Sequence, residues 1–259
     1  MEMKRLGLLT ATALVLTLPA AGAEKEFTWS GTLATGKAIE IKGVNGGIEA
    51  SGTSGGEVVV TATRKGRRSD PSSVKIEVVE HPGGVTICAV YPGTGKPNEC
   101  KPGEGGRMNV KNNDVKVDFD VKVPAGVRFV GRTVNGGIAA HGIEAEAEAH
   151  TVNGGIELEA LGLGHAETVN GGISARIERA HWDGTLELKT VNGGIDVRLP
   201  SSASLDVKAT TVNGKIETDF PLTVQGKIGR RRIQGSIGGG GPLLKMETVN
   251  GSIGLKKTS

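Results

Sequence analysis

Aromatic side chains are scarce in this chain, with two Trp, one Tyr and four Phe among 259 residues. Aromatics supply much of the buried area in an ordinary enzyme core, so a thick globular core is a poor expectation here. Cysteine is limited to Cys88 and Cys100. A pair this close, without further ligands nearby, favours a disulfide over a thiolate metal centre. Outside the first 23 residues no stretch is apolar enough and long enough to span a bilayer, and none carries helical apolar spacing. Charge of one sign is also lacking. The formal net charge is +3, falling to +2 without Glu2, Lys4 and Arg5, which points to neither nucleic acid nor a strongly acidic partner.

What is abundant is glycine, 42 residues of it, set among Val, Ile, Leu and Ala. Short apolar runs cut by glycine suit many short strands around a thin core.

The start of the chain reads as a secretory signal peptide. A basic Met1-Glu-Met-Lys-Arg5 precedes thirteen mostly apolar residues, Leu6 to Leu18, and then Ala21-Gly22-Ala23. Thirteen residues make about 20 Å of helix, short of the ~30 Å hydrocarbon core of a membrane. Cleavage after Ala23 predicts a 236-residue mature chain beginning at Glu24. No cysteine follows the cleavage site, so a lipid anchor is not expected. These features predict an exported protein, periplasmic or at the cell surface or secreted, with no integral membrane segment. In that oxidising setting Cys88 and Cys100 are expected to form a disulfide across a turn-rich segment.

Internal repetition is the strongest signal. Val-Asn-Gly followed two residues later by Ile occurs seven times, with Asn at Asn45, Asn135, Asn153, Asn170, Asn192, Asn213 and Asn250. Six copies carry Thr two residues before the Asn, from Thr133 to Thr248. A degenerate eighth copy reads Ile233-Gln-Gly-Ser-Ile237. With it, the spacings from Asn135 onward are 18, 17, 22, 21, 21 and 16 residues. A period near 20 indicates stacked repeats.

Apolar residues alternate on both sides of each motif, as in Leu186, Leu188, Thr190 before and Ile195, Val197, Leu199 after. Each repeat therefore reads strand, Asn-Gly turn, strand, with one inward face. The turn glycine, Gly193 for example, is expected at positive φ. A meander of hairpins and a β-solenoid both satisfy this phase. Identity among the copies favours the solenoid, because equivalent residues then stack about 4.8 Å apart and form ladders. The predicted fold is all-β, a β-solenoid of the β-helix or β-roll kind. It comprises a single domain over residues 24–259, with an irregular part, 24–130, carrying two insertions, and regular repeats over 131–259.

Several segments together resemble one bacterial family. Val123-Pro-Ala-Gly126 precedes Thr133-Val-Asn-Gly-Gly-Ile138, Leu199-Pro200 is followed by Leu205-Asp-Val207, and the chain closes on Gly235-Ser-Ile-Gly238 and Thr248-Val-Asn-Gly-Ser-Ile-Gly254. In that order they are similar to the β-strand-repeat family of unknown function called "putative adhesin". The resemblance implies a solenoid-like envelope protein and supplies no catalytic residues.

Chemistry-bearing motifs are few. Gly31-Thr-Leu-Ala-Thr-Gly36-Lys37-Ala38 nearly spells a phosphate loop but has Ala where a hydroxyl should meet Mg²⁺, and no helix follows. Gly52-Thr-Ser54-Gly-Gly56 spells a nucleophile elbow ahead of a strand instead of a helix. His81, His141, His150, His165 and His181 share no register relative to the motif Asn, so no metal site is expected among them. The runs Arg64–Arg68 and Arg230–Arg232 are read as solubilising charge. The expectation is a non-catalytic adhesin-like or scaffold protein with no cofactor, whose partner is an envelope protein or a surface glycan. The alternative is a soluble partner of an envelope stress-response system. Less favoured is a polysaccharide-acting β-helix enzyme.

Overall fold

The computed structural model describes residues 24–258 except 94, 179–181, 183, 225–228 and 230, with backbone alone at 24 and 160–163. The segment read as a signal peptide, with its cleavage site, lies outside the described residues, as do His181 and Arg230. The strands run β1 Glu24–Gly31, β2 Ala38–Lys42, β3 Ile48–Thr53, β4 Val58–Lys65, β5 Lys75–His81, β6 Gly84–Val90, β7 Lys116–Pro124, β8 Arg128–Arg132 and β9 Ile138–Asn153. They continue with β10 Ile156–Asn170, β11 Ile173–Arg176, β12 Thr185–Asn192, β13 Ile195–Leu199, β14 Leu205–Asn213, β15 Ile216–Thr218, β16 Leu222–Val224, β17 Arg232–Ile237, β18 Leu243–Asn250 and β19 Ile253–Lys257. The protein is all-β, a single sheet curled into two facing walls, and solenoid-like.

The wall made by strands that precede the motif runs β5-β6-β2-β8-β9-β10-β12-β18-β14-β17-β16. The wall made by strands that follow it runs β1-β4-β7-β3-β9-β10-β11-β13-β19-β15. Coil stacks on coil through parallel pairs, so the hairpin alternative does not apply. At both ends the pairing turns antiparallel, in β1-β4-β7 and β5-β6 at one end and β14-β17-β16 at the other. An end coil has no neighbour to satisfy its outer edge, and these hairpins cover it.

The core between the walls follows the alternation. Ile39, Ile41, Ala50, Leu186, Leu188, Val197 and Leu205 are fully buried while their neighbours in sequence point outward. Buried aromatics gather toward the ends, Tyr91, Phe119 and Phe129 near the first coils and Phe220 in the last. The middle coils are aliphatic, which is how so few aromatics suffice. Burial pushes the Tyr91 phenol up to about 12, and its hydroxyl donates to Val115 O at 2.8 Å.

Three sequence expectations are corrected here. First, the coils do not stack in chain order. Asn amides form one ladder in the order Asn45, Asn135, Asn153, Asn170, Asn192, Asn250, Asn213, each Nδ2 after the first donating to the Oδ1 of the Asn before it at 2.8–2.9 Å. The chain skips a layer after β13, builds β14 to β17 beyond the gap, and returns to insert β18 and β19 between two existing coils. Second, Ile233-Gln-Gly-Ser-Ile237 is no coil. It is strand β17, antiparallel to β14 and β16, and Gln234 stands opposite Lys208 instead of joining the ladder. Third, Gly193 has no positive φ, and among the motif glycines only Gly46 does, at 128°. The first glycine of the motif is needed for closeness instead. A Cβ on Gly136, Gly154, Gly171, Gly193, Gly251 or Gly214 would collide with the carbonyl oxygen of the corresponding glycine one coil away.

The threonines have a comparable reason. Each buried Thr Oγ1 donates to that same carbonyl of the neighbouring coil, from Thr133 on Gly46 O at 3.0 Å to Thr211 on Gly251 O at 2.8 Å. The first copy has Gly43 at the threonine position. It is the first rung of the ladder, with no preceding glycine carbonyl to receive a hydroxyl.

Candidate ligand-binding trough

The two glycines of each motif stand in different situations. The first is pinned by the next coil, as above. At the second, a Cβ on Gly47, Gly137, Gly155, Gly172 or Gly194 would meet nothing nearer than 3.2 Å. Ser252 and Lys215 occupy the same position in the remaining two coils. The fold therefore accepts a side chain there, yet five consecutive coils carry none.

The consequence is an open trough of about 810 Å³ along the outside of the corner. Its floor is formed by those five glycines with Ile48, Ile138, Ile156 and Ile173. The carbonyls of Gly137, Gly155, Gly172 and Gly194 are already engaged by amides of the isoleucines in neighbouring coils, at 2.9–3.0 Å. In ladder order Ser252 and then Lys215 come after Gly194, on the way to the end coil. At the opposite end Asp118 accepts from Gly47 N at 2.9 Å.

Acidic residues line one side of the trough at a regular interval. The position after the motif Ile reads Glu49, Ala139, Glu157, Ser174, Asp196, Gly254 and Glu217 in ladder order. A carboxylate thus recurs on every second coil, roughly 9.6 Å apart along the stack at the usual strand spacing. Sequence order alone hid this, because Gly254 belongs before Glu217. On the other side of the Asn ladder, Val134, Val152, Val169, Val249 and Val212 form an exposed apolar row. Asn ridge, glycine trough and valine row together make a long strip of one composition.

The outer face of the other wall is a charged sheet. Glu40, 5 % exposed, takes hydrogen bonds from Thr86 Oγ1 (2.8 Å), Gly103 N (2.9 Å) and Arg132 Nε (3.2 Å). Lys42 donates to the carbonyls of Lys101, Gly103 and Gly105 at 2.7–2.8 Å, and burial lowers its pKa. These contacts dock the loop that the Cys88–Cys100 disulfide also ties down. Farther along, Glu148 is held below the ordinary carboxylate value by the His150 ring, whose Nε2 is 3.7 Å away, and by Arg128 and Arg132. Lys245 does the same for Glu187. For Glu167, burial pushes upward, but Lys189 and His165 outweigh it.

Two of the histidines come together on this face despite their different registers. His150 and His165 lie three and five residues before their motif Asn, so both point outward from adjacent coils, and their ring centroids are 5.1 Å apart. Shared parity, not identical register, is what brings outward side chains together. Among the basic runs, Arg64 is buried and donates to Val74 O at 2.9 Å, whereas Arg67, Arg68, Arg231 and Arg232 are exposed. The near-phosphate loop is a turn between β1 and β2, with Lys37 bound to Pro82 O. Ser54 sits in the β3–β4 turn, followed by strand. Among the described residues no helix is long and apolar enough to cross a membrane.

A family model described as Toastrack DUF4097 matches residues 103–256. No curated protein matches the chain. Among solved structures, it is similar to a "putative cell adhesion protein" from Clostridium sporogenes ATCC 15579, with 11% identity, 90% of this chain and 100% of that one covered, and a TM-score of 0.49. It is also similar to a "putative adhesin" from Bacteroides fragilis NCTC 9343, with 11% identity, 90% and 97% coverage and a TM-score of 0.34. A "putative lipid binding protein" from Parabacteroides distasonis ATCC 8503 is 13% identical over 92% and 98% of the chains, with a TM-score of 0.28.

Proposed function

The chain belongs to the Toastrack family DUF4097, and from that membership we propose that it is a non-catalytic, adhesin-like interaction protein of the bacterial envelope. Its exported state rests on the basic, apolar and small-residue segments before Glu24. Its scaffold is a solenoid whose coil is the repeat of near 20 residues, and its working surface is the trough.

The observation that carries this reading is the run of five second-position glycines. Stability does not demand them, since Ser252 and Lys215 replace them elsewhere in the same ladder. A groove kept clear over five coils suits an extended ligand laid along the stack, a surface glycan or an envelope protein segment. The carboxylates beside it recur on every second coil, roughly 9.6 Å apart along the stack, which suits repeated contacts with an extended ligand.

The test is to block the trough without touching the stack. Gly172→Lys places in the middle coil the residue that coil 205–218 already carries. Its melting temperature is expected to match wild type, while capture of the ligand from envelope glycan and envelope protein fractions is lost. Equal capture by Gly172→Lys and wild type would remove the trough from the function.

A further inference from the structure

On the wall opposite the trough, β9 carries Glu148 and His150, and β10 carries His165 and Glu167. Their parallel register sets Glu148 beside His165 and His150 beside Glu167. The four side chains therefore form a block two coils wide and two positions deep, with histidines on one diagonal and carboxylates on the other. One ligand atom each from His150, His165 and Glu167 lie within 4.8 Å of one another. We propose that these three side chains bind a divalent transition metal ion, of the zinc or copper class, across the two coils.

Three features point to a ligand site beyond simple crowding of polar groups. His150 Nε2 is shielded from solvent and makes no close hydrogen bond, its facing carboxylate Glu148 Oε2 standing off at 3.7 Å, although a buried ring nitrogen ordinarily finds a partner. His165 Nε2 faces Glu167 Oε2 at 3.5 Å, while its Nδ1 faces Glu187 Oε2 at 3.8 Å. A ligating histidine whose second nitrogen meets a carboxylate is the usual support for a bound metal. Finally, the remaining carboxylates are already committed. Glu148 is paired with Arg128 at 3.0 Å and Glu187 with Lys245 at 2.7 Å. Among the described residues Glu167 has only Lys189 at 3.2 Å as a cationic rival, and both side chains are more than a third exposed.

Ligand chemistry sets the class of ion. Two imidazoles and one carboxylate suit Zn²⁺, Cu²⁺ or Ni²⁺, whereas Ca²⁺ and Mg²⁺ want oxygen alone. Metal–ligand bonds of about 2.0–2.1 Å place tetrahedral ligand atoms about 3.4 Å apart, so small side-chain rotations close the site from its present spacing. Three protein ligands leave the fourth position open to water or to a group from a partner. The ion would also tie β9 to β10 just beyond the register shifts between Glu159 and His165, where their pairing is least regular.

Calorimetric titration of the untagged full chain with Zn²⁺ and with Cu²⁺ tests the site, alongside His150→Gln, His165→Gln and Glu167→Gln and a His81→Gln control. The expected result is one saturable site in wild type and the control. Either ligand-histidine change should weaken it by at least about 100-fold, since losing an outer-shell partner alone costs 10–100-fold. Histidine ring resonances of the wild-type chain provide a readout that needs no variant: two of the rings should shift or broaden with the first equivalent of metal, and their assignment should be His150 and His165. Absence of saturable binding in wild type, full affinity in both histidine variants, or a response from other histidines would each overturn the proposal.

Discussion

Each coil has two corners, and they behave differently. At the Asn-Gly corner seven coils repeat the same Val, Asn and Gly, the Asn side chains bond to their own copies one layer away, and the glycine carbonyls accept from the neighbouring coil's threonines. At the opposite corner every coil closes in its own manner. A turn at Pro124–Val127 ends one, Gly142 at φ 64° bends another within β9, and Pro200–Ala203 turns a third. Ladders explain the contrast. An amide stacked on an amide gains only if its neighbour is the same, so identity spreads along the stack, while a corner without a ladder is free to vary. The uneven 17- to 22-residue spacing among the regular coils is absorbed at the second corner.

The largest test of this contrast is removal of residues 243–259. That deletion takes a coil from the interior of the ladder, not its end, and leaves β12 and β14 without their shared neighbour β18. The segment 205–237 should then detach from the stack and become the first site of proteolysis, as read by limited digestion and mass spectrometry. A truncated chain that digests like wild type would show that the inserted coil is dispensable.

Next come single glycines at the two corners. Gly251→Val should cost about 3 kcal/mol, because its side chain would overlap Gly193 O in a coil held on both faces. The same change at Gly214 should cost less, since its coil is the outermost of the ladder and frays more readily. At the far corner Gly142→Val should cost about 1–2 kcal/mol through its positive φ alone, as a Cβ there meets open space, and Gly142→Asn should recover much of that. Chemical denaturation of the four variants ranks them, and an equal cost at Gly251 and Gly214 would contradict the stacking order.

The smallest effect is expected from one rung of the ladder. Asn153→Ala removes its donation to Asn135 and its acceptance from Asn170, both 2.8 Å, on the exposed ridge. A loss of about 1 kcal/mol is expected, because exposed amides regain water. A thermal melt unchanged within error would mean the ladder orders the turns without stabilising them.

Much of this molecule was readable before folding. Alternating apolar positions placed Ala38–Lys42 and the strands around each motif, because a two-residue period has one inward face wherever the chain goes. Identity among the motif copies implied parallel stacking, since only contact between like positions rewards it. The strands β1 and β16 were missed. They belong to the cap and to the end hairpin, and carry no repeat to mark them.

The sequence by itself determined that there would be strands, an Asn ladder and one inward face, because these depend on period and on like meeting like. Only the tertiary structure decided the order of the coils, since β18 and β19 satisfy a gap between coils as well as they would an end, and nothing local distinguishes the two. That order in turn decided which carboxylates line the trough and which glycine sits at the stack's edge. The histidine pair meets because β9 and β10 pair 17 residues apart, in register with the motif Asn, so that His150 and His165, 15 apart in the chain, lie diagonally across the strand pair.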